Sequence, residues 1–72
     1  MRKKNIVVVR NGVKRINEIS DDCRVYFIPP NYLLCGVNID LIVMCTSDYD
    51  NEWYEQCLMH ALSMGGQIEK VY

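Results

Sequence analysis

The segment Cys57-Leu58-Met59-His60 places the single histidine three residues after a thiol, one helical turn away. An imidazole so placed can take a proton from a thiol and make it a nucleophile, or the two can share a metal. Neither use is complete in this chain. Nucleophilic catalysis needs a third group to orient the base. Tetrahedral zinc needs four ligands, usually as two close pairs. The remaining cysteines, Cys23, Cys35 and Cys45, are scattered, and no CxxC spacing occurs. Four thiols allow three pairings as two disulfides; with no export signal they read instead as free thiols packed as small apolar groups. No P-loop, GxGxxG, HExxH or GxSxG spacing is present. The expectation is a protein that is not an enzyme, with no cofactor and no metal site.

Charge offers another kind of chemistry. The formal net charge of −1 hides a split: residues 1–15 hold six of the eight basic residues and no acid, and residues 16–72 hold two basic and nine acidic residues. Lys3, Lys4, Arg10, Lys14 and Arg15 form a candidate phosphate-binding set for nucleic acid. The first 22 residues contain no aromatic on which a base would stack. The same cations also suit an exposed hairpin that must not aggregate. The opposite pole is Asp48-Tyr49-Asp50-Asn51-Glu52-Trp53-Tyr54-Glu55, with four carboxylates and three large aromatics in eight residues. Aromatic anchors within a charged rim are the makings of an interface hot spot. The expected partner-binding set is therefore Asp48, Tyr49, Asp50, Glu52, Trp53 and Glu55. Trp53 and Tyr49 anchor, and the acids steer toward a larger protein such as a nucleic-acid enzyme with a basic groove. Carboxylates also belong at a helix start for dipole reasons, and Trp53 and Tyr54 lie on an arc that suits a core.

These groups need elements to position them. Half the residues are apolar and 24% are charged, an ordinary globular composition for a single compact domain over residues 1–72. Asn5 to Val9 is short and β-branched and reads as a strand. Asn11-Gly12 then signals a type I′ hairpin, with a return strand from Val13 to about Ile19. After Ser20-Asp21-Asp22, Cys23 to Ile28 reads as a strand ended by Pro29-Pro30. Asn31 to Gly36 makes a loop, and Val37 to Thr46 is the longest strand candidate. Ser47 or Asp48 caps a helix of about 16 residues whose apolar arc carries Trp53, Tyr54, Cys57, Leu58, Ala61, Leu62 and Met64. His60 sits at the border of that arc, half-buried beside Trp53. Gly65-Gly66 supplies the C-cap, and Gln67 to Tyr72 is a last strand. The order β-β-β-β-α-β implies an α+β domain: an antiparallel sheet of four to five strands with one helix on one face.

A single helix covers one face only, yet Ile6 and Val8 oppose Val7 and Val9, and Val25 and Phe27 oppose Tyr26 and Ile28. The second face calls for a homodimer partner or another protein. The apolar run Ile6 to Val9 falls short of the roughly 7–15 residues of a signal peptide, and no stretch approaches the ~20 residues of a membrane span. We expect a cytoplasmic protein with no membrane contact, in the host cytoplasm if phage-encoded. The leading expectation is a small protein-binding inhibitor or regulator that occludes a surface of a larger partner. In size and style alone it is similar to the anti-defence and anti-CRISPR proteins of phages. The alternatives are a nucleic-acid-binding regulator and a sponge for a small anionic ligand at a dimer seam.

Overall fold

The computed structural model describes residues 3–34 and 38–72. Strands β1 (Lys4–Val9), β2 (Ile16–Ile19), β3 (Cys23–Ile28) and β4 (Ile39–Met44) are followed by a helix α1 over residues 51–61 and strand β5 (Leu62–Lys70). This is the expected element order and α+β class. The expected strand start at Val37, and Cys35 and Gly36 in the preceding loop, lie outside the described residues. The strands form one sheet in the order β2-β3-β1-β4-β5.

The sheet is mixed, not antiparallel as expected. β3, β1, β4 and β5 all run parallel, and β2 alone is antiparallel, on the edge beside β3. The unbroken apolar runs Ile6–Val9, Val25–Ile28 and Leu41–Met44 are the pattern of parallel strands. The Asn11-Gly12 hairpin does not form. A type I′ turn needs positive φ at both central residues, and of the two only Gly12 has it, at 78°. The Asn11 side chain bonds elsewhere, its Nδ2 donating to Thr46 Oγ1 at 2.8 Å. The return segment does contain a strand, Ile16–Ile19, but it pairs with β3, which lies between it and β1. Pro29-Pro30 ends β3 as expected: Tyr32 N donates to Pro29 O at 3.4 Å, with Asn31 at φ 66°. Proline then a positive-φ asparagine is the central pair of a type II turn.

Crossover handedness decides which face is covered. The connections β3→β4 and β4→β5 advance in the same direction across the sheet, so right-handed crossovers put both on one face. Tyr32 and Leu34 from the first connection, and Trp53, Tyr54, Cys57, Leu58 and Ala61 from α1, do pack on one core with Val7, Val9, Ile28, Ile42 and Met44. The β1→β3 connection advances the other way and belongs on the opposite face. Its only regular element, β2, lies in the plane of the sheet, so among the described residues no helix or strand lies on that face.

The helix differs from expectation at both ends. Asp50, not Ser47 or Asp48, is the N-cap, its carboxylate accepting from Glu52 N at 2.8 Å. The helix ends at Ala61, because Leu62 already pairs with Ile39 of β4. Leu62 still packs on the core, but from β5, and Met64 is fully exposed. The glycines form a bulge inside β5 rather than a C-cap. Ile39 pairs with Leu62 and Leu41 with Gln67, so the residues between are extruded. Gly65 sits at φ 82°, and a Cβ on Gly66 would lie 2.7 Å from Leu62 Cδ1 and 3.0 Å from the Ile39 carbonyl. The middle of α1, Tyr54–Leu58, is a π-helical turn. At α-helical pitch Trp53 and Leu58 would point about 140° apart; the wider turn lets both be buried. Among the described residues no helix is long and apolar enough to cross a membrane.

Candidate functional site

Strand alternation sends the remaining apolar residues to the uncovered face. Register aligns them in two rows across the sheet. One row reads Glu18, Val25, Ile6, Leu41, Gln67, and the next reads Ile16, Phe27, Val8, Val43, Glu69. The six residues on β3, β1 and β4 are all apolar and only half-buried. Ile16 on the edge strand is 53% exposed. Each row carries one carboxylate, on opposite flanks of the apolar block. The covered face of the same strands is sealed, with Val7, Val9, Ile28, Ile42 and Met44 at 0% exposure.

A cleft of about 450 Å³ opens where the β5 bulge leaves β4 and is lined by Lys4, Ile6, Asp40, Leu41, Gln67 and Glu69. Asp40 ties the strands together here: Oδ2 accepts from Asn5 N at 2.8 Å and Oδ1 from Ser63 Oγ at 3.4 Å. Two carboxylates beside one ammonium give the cleft the wrong sign for an anion. This does not favour the anionic-ligand reading.

The acidic-aromatic segment follows β4, at the carboxyl end of the parallel strands. Asp48, Asp50, Glu52 and Glu55 are exposed. Trp53 is not an exposed anchor: it is 8% exposed in the core, and its Nε1 donates to Tyr32 O at 2.7 Å. Tyr49 is half-buried, stacked on Tyr54 at 5.3 Å and tilted against Trp53 at 6.2 Å. Its phenol is pushed up from 10.0 to about 12, first by a hydrogen bond with the Tyr72 side chain, then by desolvation and the neighbouring phenols. The aromatics therefore brace the helix start, and the carboxylates lie outside them. Asp50 is committed to capping, and its own N–H donates to Asn31 Oδ1 at 2.8 Å.

The five candidate cations do not form one patch. Lys3 and Lys4 stand at the amino end of β1, and Arg10 follows its carboxyl end, roughly 20 Å away at ~3.3 Å per residue. Lys14 and Arg15 precede β2, whose first residue pairs with Phe27 near the end of β3, so they share the end of Arg10. The Arg15 guanidinium lies 5.9 Å over the Tyr32 ring. That end also bears Asp48 and Asp50, so Arg10, Lys14 and Arg15 share an end of the sheet with acids of the opposite pole, and Lys3 and Lys4 do not.

The thiol and the imidazole do not make a catalytic pair. His60 is exposed rather than half-buried beside Trp53. The half-buried Cys57 uses its sulfur on Leu34, accepting from the backbone N at 3.5 Å and donating to the carbonyl at 4.0 Å. Cys23 and Cys45 are free and half-buried. Comparison with family models, with curated proteins and with solved structures gives no match.

Proposed function

We propose that the chain is a small non-enzymatic protein-binding protein, and that its contact surface is the open face of the sheet rather than the acidic helix start. One observation carries this reading: six apolar side chains, Ile6, Val8, Val25, Phe27, Leu41 and Val43, lie in register on a face that no element among the described residues covers. Parallel sheets occur almost only with both faces covered, and contiguous exposed apolar patches mark interaction sites. The protein works by occupying a surface, not by transforming a substrate, and so acts as a regulator or inhibitor of what it covers.

The test is a pull-down with tagged protein from nuclease-treated lysate at low and high salt, comparing Val8→Lys with the double variant Glu52→Lys/Glu55→Lys. Capture lost in the first and kept in the second is expected. The reverse outcome would move the contact to the acidic edge and sink the proposal. The nucleic-acid reading keeps one supporting observation, the Arg15–Tyr32 stack at 5.9 Å beside Arg10 and Lys14. It predicts capture that nuclease abolishes and that weakens steeply with salt.

A further inference from the structure

We infer that β2 pairs edge to edge with β2 of a second copy of this chain, antiparallel and centred on Ile16. The contact is the sheet's edge, so it goes beyond the docking reading of the open face and does not rest on it. β2 ends the sheet, and among the described residues β3 is its only neighbour. Hydrogen-bond parity fixes what its free side offers. Ser20 N donates to Cys23 O at 2.9 Å, so Glu18–Val25 and Ile16–Phe27, two and four residues along, bond across the same ladder. On the other side of β3, Lys4 N donates to Asp22 O and Arg10 N to Ile28 O, so the alternate residues of β3 turn to β1. The N–H and C=O groups of Asn17 and Ile19 therefore point away from the sheet. All four residues of β2 are exposed. The opposite edge, β5, is interrupted by its bulge, which blunts an edge against pairing.

The residues along that edge are their own complement. Val13, Ile16 and Ile19 recur every three residues, a spacing that strand alternation does not explain. Turned about Ile16 against a second copy, the segment pairs apolar with apolar and base with acid. Ile16 meets Ile16 of the other copy, Lys14 meets Glu18, Val13 meets Ile19, and Arg15 meets Asn17. Ile16–Ile16 and Lys14–Glu18 fall at the narrow pairs, where side chains come closest, and Arg15–Asn17 at a pair that exchanges backbone bonds. The neighbouring registers of the same parity set Arg15 on itself, Ile16 on Glu18, or Glu18 on itself, so charge selects this one. Lys14 and Glu18 are both exposed. Arg15 lies diagonal to its own copy, but its guanidinium is turned onto Tyr32 at 5.9 Å. Val13–Arg15 lead into β2 without strand pairing of their own, and the second copy extends the strand through them. The two-fold axis of such a pair is normal to the sheet, so both open faces lie on one side. The row Ile16, Phe27, Val8, Val43 then continues through Ile16 of the other copy, and Glu18, which ends the next row, is neutralised by Lys14.

Sedimentation equilibrium of the full chain over a wide concentration range tests this. Wild type is expected to move from one chain mass to two, and to dissociate on dilution because a single strand pair is buried. Lys14→Glu and Glu18→Lys are the decisive variants; both sites are exposed, so the fold survives, and circular dichroism checks it. Each alone sets like charges together at both symmetry-related pairs. The expected weakening is at least about tenfold, roughly 1.4 kcal/mol. An equal mixture of the two variants restores opposite charges at both pairs and is expected to dimerise as wild type does. A wild type that stays monomeric at millimolar concentration overturns the inference. So does a dimer that both single variants leave unchanged, or a mixture that stays monomeric. A dimer lost in Val8→Lys but kept in both charge variants also overturns it, while leaving the docking reading of the open face standing.

Discussion

The two faces of this sheet are built from alternate residues of the same strands, and both are apolar. Val7, Val9, Ile42 and Met44 are at 0% exposure under α1 and the loop after β3. Ile6, Val8, Leu41 and Val43, one residue away in the chain, are only partly buried. Side-chain chemistry does not separate the faces; the direction of the crossovers does. Two connections advancing the same way cover one face, and the third, which would cover the other, is spent on an in-plane strand. The buried core therefore resides on one side, and the other is the side we propose for association.

Paired truncations in one strand sharpen that contrast most. Ile42→Ala, at 0% exposure, is expected to cost about 2–5 kcal/mol through lost burial and a residual cavity. Leu41→Ala is expected to cost about 1–2 kcal/mol because part of its side chain already meets water. Urea unfolding of both variants gives the two values, and equal losses would erase the distinction between the faces.

The bulge that shapes the open cleft is tested by Gly66→Ala. Its new Cβ would meet the Ile39 carbonyl at 3.0 Å as well as the Leu62 side chain. We expect a loss of about 1–3 kcal/mol by overpacking; a neutral result would mean that β5 slides out of this register. Asp50→Ala removes the cap of the helix that seals the covered face and is expected to cost about 1 kcal/mol, read by thermal unfolding. Asp48→Ala, also exposed but not a cap, is expected to change little.

The smallest effect is alkaline. Tyr49 is raised from 10.0 to about 12, so the folded state holds its proton more tightly than the unfolded chain. That contribution is complete below pH 10 and disappears as pH rises through 12. A spectrophotometric titration should show a phenol that ionises late, and Tyr72→Phe should bring it back toward 10.0.

How much of this was legible in the sequence depends on how local the cause is. The element order, the Pro29-Pro30 stop and the inward arc of Trp53, Cys57, Leu58 and Ala61 follow from nearest-neighbour chemistry. So does the demand that something cover a second face, since Ile6 and Val8 are apolar beside Val7 and Val9. Strand direction is not legible locally, because the Asn11-Gly12 hairpin signal competes with the apolar runs. The runs carried the parallel signal, and the asparagine side chain was needed at Thr46, 35 residues away. The glycine pair has the local chemistry of a helix cap, but Leu62–Ile39 pairing, a long-range contact, ends the helix first. Trp53 looked like an anchor because its role depends on Tyr32 O, which only the folded loop supplies.

The central claim is that the open face of the sheet is the contact surface proposed above. The most direct measurement is the binding of an anilinonaphthalene sulfonate dye to the wild type, to Val8→Lys and to Glu52→Lys/Glu55→Lys. The account predicts dye binding that Val8→Lys abolishes and the acidic-edge variant leaves unchanged. A wild type that binds no dye, or binding that only the acidic-edge variant loses, would contradict it.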